Sequence, residues 1–262
     1  MLGKFMYAFV VSLVLSTTIM ADNISKEQCD LKGSGFIFAG GECIAYKAVQ
    51  GDKEGSLTVV VHGTWKEGTD ILARYATFAD DLVMLTDITT VAVALPGYSG
   101  SSTNHFQALS RDKTRNLAAQ KEYIMFLDEL IKALKERYKA KTVNYIGHSA
   151  GAMMGATLMG IDPRLIQNIA LAGGRYDIHA VSKEKNLISA VDIVDKINKN
   201  TNILLIYGTR DEVSKPHVTK DFYALAKKRG LHVRLVEVKD APHLDLDRTQ
   251  TSMEAIGEML DY

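Results

Sequence analysis

Five residues near the middle of the chain, Gly147-His148-Ser149-Ala150-Gly151, restrict its fold more than any other stretch. The run Val143-Asn144-Tyr145-Ile146 ahead of them is mostly β-branched and aromatic, as strands are. The segment 150–160 behind them is small and apolar, as a closely packed helix is. The spacing is G-x-S-x-G, a sharp strand-to-helix turn that lifts a nucleophilic serine off the end of a sheet. A serine in such a turn sits in a strained backbone conformation, and glycine two residues to either side avoids a collision of side chains. The helix that begins there aims backbone N–H groups at any negative charge gathering beside Ser149. A chain of this length matches the pentapeptide by chance about one time in ten, so the weight rests on its context. The plain alternative is a tight strand–helix turn with no chemistry.

A strand ending at Ser149 needs a sheet around it, and the remaining sequence supplies one. Residues 57–61, 89–95, 142–146, 165–171, 202–207 and 232–238 are short, largely apolar runs of the kind found in sheets buried on both faces. Two further runs, 36–39 and 43–49, flank Gly40-Gly41 and read as a hairpin. Between the strands, apolar residues recur at helical spacing over 71–85, and most clearly at Leu117, Ile124, Leu127, Ile131, Leu134 and Tyr138. A polar helix is expected within 183–202, with Ile188, Val191, Ile193, Val194 and Ile197 as its apolar positions, and further helices over 222–228 and 251–260. Strands alternating with helices specify an α/β fold: a mostly parallel central sheet with helices on both faces. No internal repeat or linker divides it, so a single domain over 22–262 is expected.

The first 21 residues have a different character. One lysine precedes a strongly apolar core over 5–15, and Ser16-Thr17-Thr18-Ile19-Met20-Ala21 turns small and mild. That is the layout of a secretory signal peptide cleaved after Ala21, which implies export to a periplasm or to the outside. An uncleaved anchor is the weaker reading, because spanning a bilayer takes about 20 apolar residues. Lys plus Arg and Asp plus Glu both total 31, so no net field draws the protein to nucleic acid or an anionic membrane surface. The two cysteines, Cys29 and Cys43, are expected to form one disulfide, contributing about 3 kcal/mol. No metal-ligand cluster, H-E-x-x-H motif or phosphate-cradling glycine loop is present, so neither metal nor cofactor is expected.

A serine hydroxyl is a poor nucleophile at neutral pH until a base takes its proton and a carboxylate orients that base. In parallel sheets, such groups gather in the loops after the strands. His243 follows the run 232–238 and is the expected base; His217 is its weaker rival, and His62 is expected to brace its own turn. Asp211 follows the run 202–207 and is the expected orienting carboxylate, with Asp177 as rival and Glu212 pointing elsewhere. Asp245 and Asp247 are expected to cap the final helix. An oxyanion needs two N–H donors. Ala150 should supply one, and Thr64 or Trp65 the other, with Gly63 allowing a close approach. Trp65, Tyr98 and His148 are the side chains expected near substrate, although the elbow should turn His148 toward packing. The mouth is expected from the loops 97–112 and 174–185.

In order along the chain, His62-Gly63, Pro96-Gly97-Tyr98-Ser99-Gly100-Ser101-Ser102, the elbow, Gly208-Thr209-Arg210-Asp211 and Pro242-His243 resemble the α/β-hydrolase superfamily. The likeness is to its esterase, dienelactone-hydrolase-like and prolyl-oligopeptidase-like branches, and it runs from about residue 57 to the end. The resemblance implies the hydrolase sheet, a Ser149–Asp211–His243 triad and hydrolysis through an acyl-enzyme. Dienelactone hydrolases typically carry cysteine where this chain has Ser149. About thirty residues separate the strands ending near 171 and starting near 203, enough for a small helical cap but not a large lid. The expectation is an exported serine hydrolase acting on a small-molecule ester or similar acyl bond. Cleavage of short peptides is the alternative, and a catalytically silent binding protein is the alternative from another class.

Overall fold

Gly40 and Gly41, at φ +56° and +80°, turn the chain between β1 (Phe36–Ala39) and β2 (Glu42–Val49), forming the expected hairpin. The computed structural model describes residues 23–110 and 116–260; the expected leader over 1–21 and part of the expected mouth loop lie outside them. The hairpin is the antiparallel edge of an eight-stranded sheet. Its remaining strands are β3 (Ser56–Val61), β4 (Thr90–Val93), β5 (Thr142–His148), β6 (Asn168–Ala172), β7 (Asn202–Gly208) and β8 (Val233–Val238). Their spatial order is β1-β2-β4-β3-β5-β6-β7-β8, with β2 antiparallel to β4 and every later pair parallel. The chain steps from β3 to β4 in one direction and from β4 back past β3 to β5 in the other. Right-handed crossovers then place α2 (Ile71–Thr86) and α3 (Lys121–Arg137) on opposite faces. Accordingly α2 packs with α7 (Gln250–Leu260), and α3 with α4 (Ala150–Ile161).

The reversal at β3 leaves a crevice between the ends of β3 and β5, the place where open α/β sheets collect ligands. Helix α4 starts there and is buried from Gly151 to Gly160. Its glycines set how close it lies to the sheet: a Cβ on Gly155 would fall 2.4 Å from the Tyr145 ring, and one on Gly160 would fall 2.5 Å from Ile193.

At the opposite rim of the sheet, polar side chains link four parallel strands and the residue that opens a fifth. His232 Nδ1–H donates to Asn202 Oδ1 at 2.6 Å, Asn202 Nδ2 to Asn168 Oδ1 at 2.7 Å, and Asn168 Nδ2 to Asn144 Oδ1 at 2.8 Å. Asn144 Nδ2 ends the row on Ser56 Oγ and Thr58 Oγ1 at 3.2 and 3.3 Å. The three asparagines are direct partners in the strand register.

Two elements differ from expectation. The apolar positions of 183–202 do not form one polar helix: α5 covers only Ala190–Ile193, followed by a single 3₁₀ turn, Val194–Lys196. Ser189 and Asp192 box its start, and Ile193 is seated on Gly160 of α4, so the apolar spacing serves a wrapped segment. In the other direction, α6 (Pro216–Lys228) begins six residues before the expected 222, with Pro216 in its first turn. Among the described residues, no helix is long and apolar enough to cross a membrane.

Cys29, in α1 (Lys26–Asp30), is bonded to Cys43 of β2, and both are fully buried. The neighbouring Glu42 carboxylate is also buried and accepts the backbone N–H groups of Asn104, His105 and Phe106 at 2.6–2.9 Å. The stapled hairpin thereby anchors the loop that approaches the crevice. Replacing both cysteines with serine is expected to cost about 3 kcal/mol and to lower Tm by about 10 °C. A thermal melt checks this, and an unchanged Tm would show that packing alone holds the 14-residue loop.

Candidate active site

β5 ends at His148, and Ser149 turns the chain into α4 with φ 54° and ψ −114°, a conformation that costs a non-glycine residue about 1–3 kcal/mol. The flanking glycines make the turn possible. A Cβ on Gly147 would lie 2.7 Å from the Gly151 backbone, and one on Gly151 would lie 2.2 Å from the carbonyl oxygen of Val61 in β3. The turn after β3 comes equally close, since a Cβ on Gly63 would be 2.7 Å from Ser149 Cβ. His62 fixes that turn: Nδ1–H donates to Gly63 O at 2.7 Å, and Nε2 accepts from Leu95 N–H at 3.1 Å. Burial lowers its pKa to about 4, so the ring stays neutral in the tautomer these bonds require.

Ser149, His243 and Asp211 meet at this crevice. Ser149 Oγ–H donates to His243 Nε2 at 2.8 Å, and His243 Nδ1–H donates to Asp211 Oδ2 at 2.7 Å. The tautomer follows from the carboxylate, which only accepts. Asp211 is 2% exposed, and its other oxygen accepts the N–H groups of Val213 and Ser214 at 2.8 and 2.7 Å. It is therefore a turn-capping residue and the imidazole's partner at once. Gly208 and Gly173 make room: a Cβ on Gly208 would be 2.3 Å from Ala241 O, and one on Gly173 would be 3.2 Å from both the His243 ring and Asp211 Oδ2. The arrangement can pass a proton from hydroxyl to imidazole while a buried carboxylate holds the resulting charge.

The rival groups lie elsewhere. Asp177 caps the N–H of His179, and Glu212 is exposed beside Lys215. His217 is exposed in the first turn of α6, and His179 pairs with Asp192.

A cavity of about 590 Å³ opens over Ser149 and includes Gly63, Thr64, Trp65, Ala150, His148 and His243 in its wall. Of the expected mouth, Leu109 and Ser110 come from one loop, and Arg175, Ile178 and Val181 from the other. Met153, Leu117, Val213 and Leu244 also line it and were not anticipated. Ala150 opens α4, where N–H groups lack intrahelical acceptors. The N–H of Ser149 itself is committed to Ala172 O at 2.8 Å. Trp65 N–H meets the Tyr98 hydroxyl at 3.4 Å, whereas the Thr64 N–H has no acceptor among the described residues.

Tyr98, expected near substrate, does not reach the cavity. It is fully buried outside the cavity wall, its hydroxyl 2.9 Å from Trp65 O and 2.8 Å from Leu109 O, bolting the two loops together. A buried phenol needs such partners, and carbonyls supply them here. Trp65 stands on the wall with the Arg74 guanidinium 4.5 Å from its ring centre. His148 also reaches the wall, but its Nε2–H donates to the backbone oxygen of His243 at 2.8 Å, so it holds the loop that carries His243.

Asp245 and Asp247 do not cap α7. Its first turn is capped by Thr249, whose Oγ1 accepts from Ser252 N–H at 3.2 Å. Asp245 pairs with Arg74. Asp247 is 1% exposed with both carboxylate oxygens unpartnered, and burial raises its pKa, opposed chiefly by the nearby His148. No local pattern signals such a group, because its environment is assembled from distant segments. Among the described residues, no cluster of His, Cys, Asp or Glu is arranged to hold a metal ion.

Residues 59–187 match the family model described as alpha/beta hydrolase fold. No curated protein matches by sequence. Among solved structures, a Pyrococcus furiosus esterase is similar with a TM-score of 0.66 and 17% identity over 88% of this chain and 92% of its own. Esterase PE8 is similar with a TM-score of 0.62 and 19% identity, over 83% and 97%. A Bacteroides ovatus protein described as a dipeptidyl aminopeptidase IV is similar with a TM-score of 0.64 and 15% identity, over 87% of this chain but 35% of that one. With that family match and this strand order, the chain has the alpha/beta hydrolase fold.

Proposed function

We propose that this protein is an exported serine esterase that cleaves small acyl esters through an acyl-enzyme. The observation that carries the reading is the unbroken hydrogen-bonded line from Ser149 Oγ through the His243 ring to Asp211, at the base of an open cavity. Ser149 Oγ attacks the acyl carbon as its proton passes to His243 Nε2, and Asp211 holds the imidazolium. The carbonyl oxygen, now negative, lies between the N–H groups of Ala150 and Thr64, with Trp65 N–H engaged by Tyr98. His243 returns the proton to the departing alcohol, and a water activated by the same ring releases the acid. Export is supported by the sequence of residues 1–21 and by the Cys29–Cys43 disulfide, a bond that persists in oxidising compartments.

The same three side chains would also serve a peptidase, so the leaving group is settled by substrate. Purified protein given p-nitrophenyl acyl esters and aminoacyl-nitroanilides in parallel is expected to turn over the esters faster. Preference for the anilides would overturn the esterase reading in favour of peptide cleavage. Turnover of neither, with no fluorophosphonate adduct at Ser149, would favour a silent binding protein.

A further inference from the structure

Beside the cavity over Ser149 lies a second one of about 490 Å³, between the segment after β6 and helix α6. The two share three wall residues, Arg175, Val181 and Val213. Tyr176 and Phe222 contribute to the second cavity as a stacked pair, ring centres 4.5 Å apart and planes 12° apart, and both are buried. Val218 and Leu225, both half-buried, add further apolar wall.

Single exposed apolar side chains are ordinary on a protein surface. Their grouping is what signals a ligand. Val181 and Val213 are 60% and 43% exposed, and both stand on the boundary between the cavities. Two exposed valines thus stand beside Arg175 between the cavity of Ser149 and the cavity that holds the aromatic pair. The charges around the second cavity are of both signs, Asp177, Glu212 and Asp221 against Arg175 and Lys215, and select neither an anion nor a cation. Val213 is also held in place relative to the candidate triad. Its N–H donates to Asp211 Oδ1 at 2.8 Å, and its carbonyl faces Arg175 Nη2 at 3.4 Å.

We infer that the second cavity is a subsite for a neutral, apolar arm of the substrate, an alkyl or aryl group long enough to cross Val213 from an ester bond at Ser149. This rests on the esterase reading for the identity of the bond, but not for the binding of the arm. The arm enters from the acyl or the alcohol side of the ester, and two substrate series tell which.

The test uses p-nitrophenyl esters of lengthening acyl chain, and acetates of lengthening alcohol, on the purified protein. In one series kcat/KM is expected to rise about fourfold per added methylene once the chain passes Val213. Leu225→Trp and Val218→Trp, which fill the second cavity, are expected to flatten that rise while leaving hydrolysis of the shortest ester unchanged; that activity also reports a folded protein. Alkyl methyl ketones titrated calorimetrically into Ser149→Ala protein read the subsite without catalysis. Chain-dependent ketone affinity that Leu225→Trp abolishes supports the subsite even if no ester is cleaved, an outcome that would sink the esterase reading alone. Esters cleaved with no length dependence in either series, or a rise that both tryptophan variants leave intact, would overturn the subsite and spare the esterase.

Discussion

Ser149→Ala is expected to lower kcat by about 10⁴–10⁶-fold while the protein keeps its melting temperature. The hydroxyl makes one side-chain bond, to His243 Nε2, so its removal orphans no buried donor. The strained backbone at φ 54° is unchanged, because alanine meets the same steric limits there as serine. His243→Ala should fall in the same range, and the double variant should fall little further, if the two act as the proposed nucleophile and base, which work as one unit. A residual rate above that of water should persist, because the N–H groups of Ala150 and Thr64 stay in place. Steady-state kinetics and fluorophosphonate labelling check this together. Labelling retained in Ser149→Ala, or effects of the two variants that multiply, would show that the hydroxyl and imidazole do not cooperate.

The largest effect on stability is expected at Gly151. An added Cβ would fall 2.2 Å from Val61 O and 2.8 Å from His62 O, both backbone atoms at the end of a central strand. Neither can swing aside as a side chain would, so Gly151→Ala must push α4 off the sheet. That helix is buried along nearly its whole length, and the Tyr145 hydroxyl donates to Gly151 O at 2.7 Å. A cost of about 3 kcal/mol or more follows, with Tm about 10 °C lower. Gly35→Ala is the control: its nearest neighbour would be Tyr46 O at 3.7 Å, an ordinary contact, so Tm should barely move. Equal melting temperatures for the two variants would mean that α4 rides less tightly on β3 than the geometry requires.

The elbow and the parallel strands were legible because their signals are local. A continuous apolar run such as Leu57 to Val61 has few alternatives to a strand buried on both faces. The placement of Asp211 and His243 after strands could likewise be read, since a parallel sheet brings those loops to one rim. What could not be read depends on partners far away in sequence. Ile188, Val191 and Ile197 have helical spacing, yet a segment with only two short helical turns, wrapped over α4, seats apolar side chains just as well. Tyr98 sits in a loop near the site, but the carbonyls that claim its hydroxyl belong to residues 33 positions before and 11 after it. The second cavity draws on separate stretches around 175, 191, 213 and 222, none carrying a motif.

The amide row linking Asn144, Asn168 and Asn202 has a bearing on the far rim of the sheet. Sliding any one of these strands by a single position would carry its asparagine to the other face, parting it from both neighbours and stranding buried polar atoms. Apolar runs alone are poor judges of such a slip, since one valine replaces another at little cost. The row thus works as an alignment comb, and Ser149 and Asp211, carried by β5 and β7, are set at matching heights from its teeth.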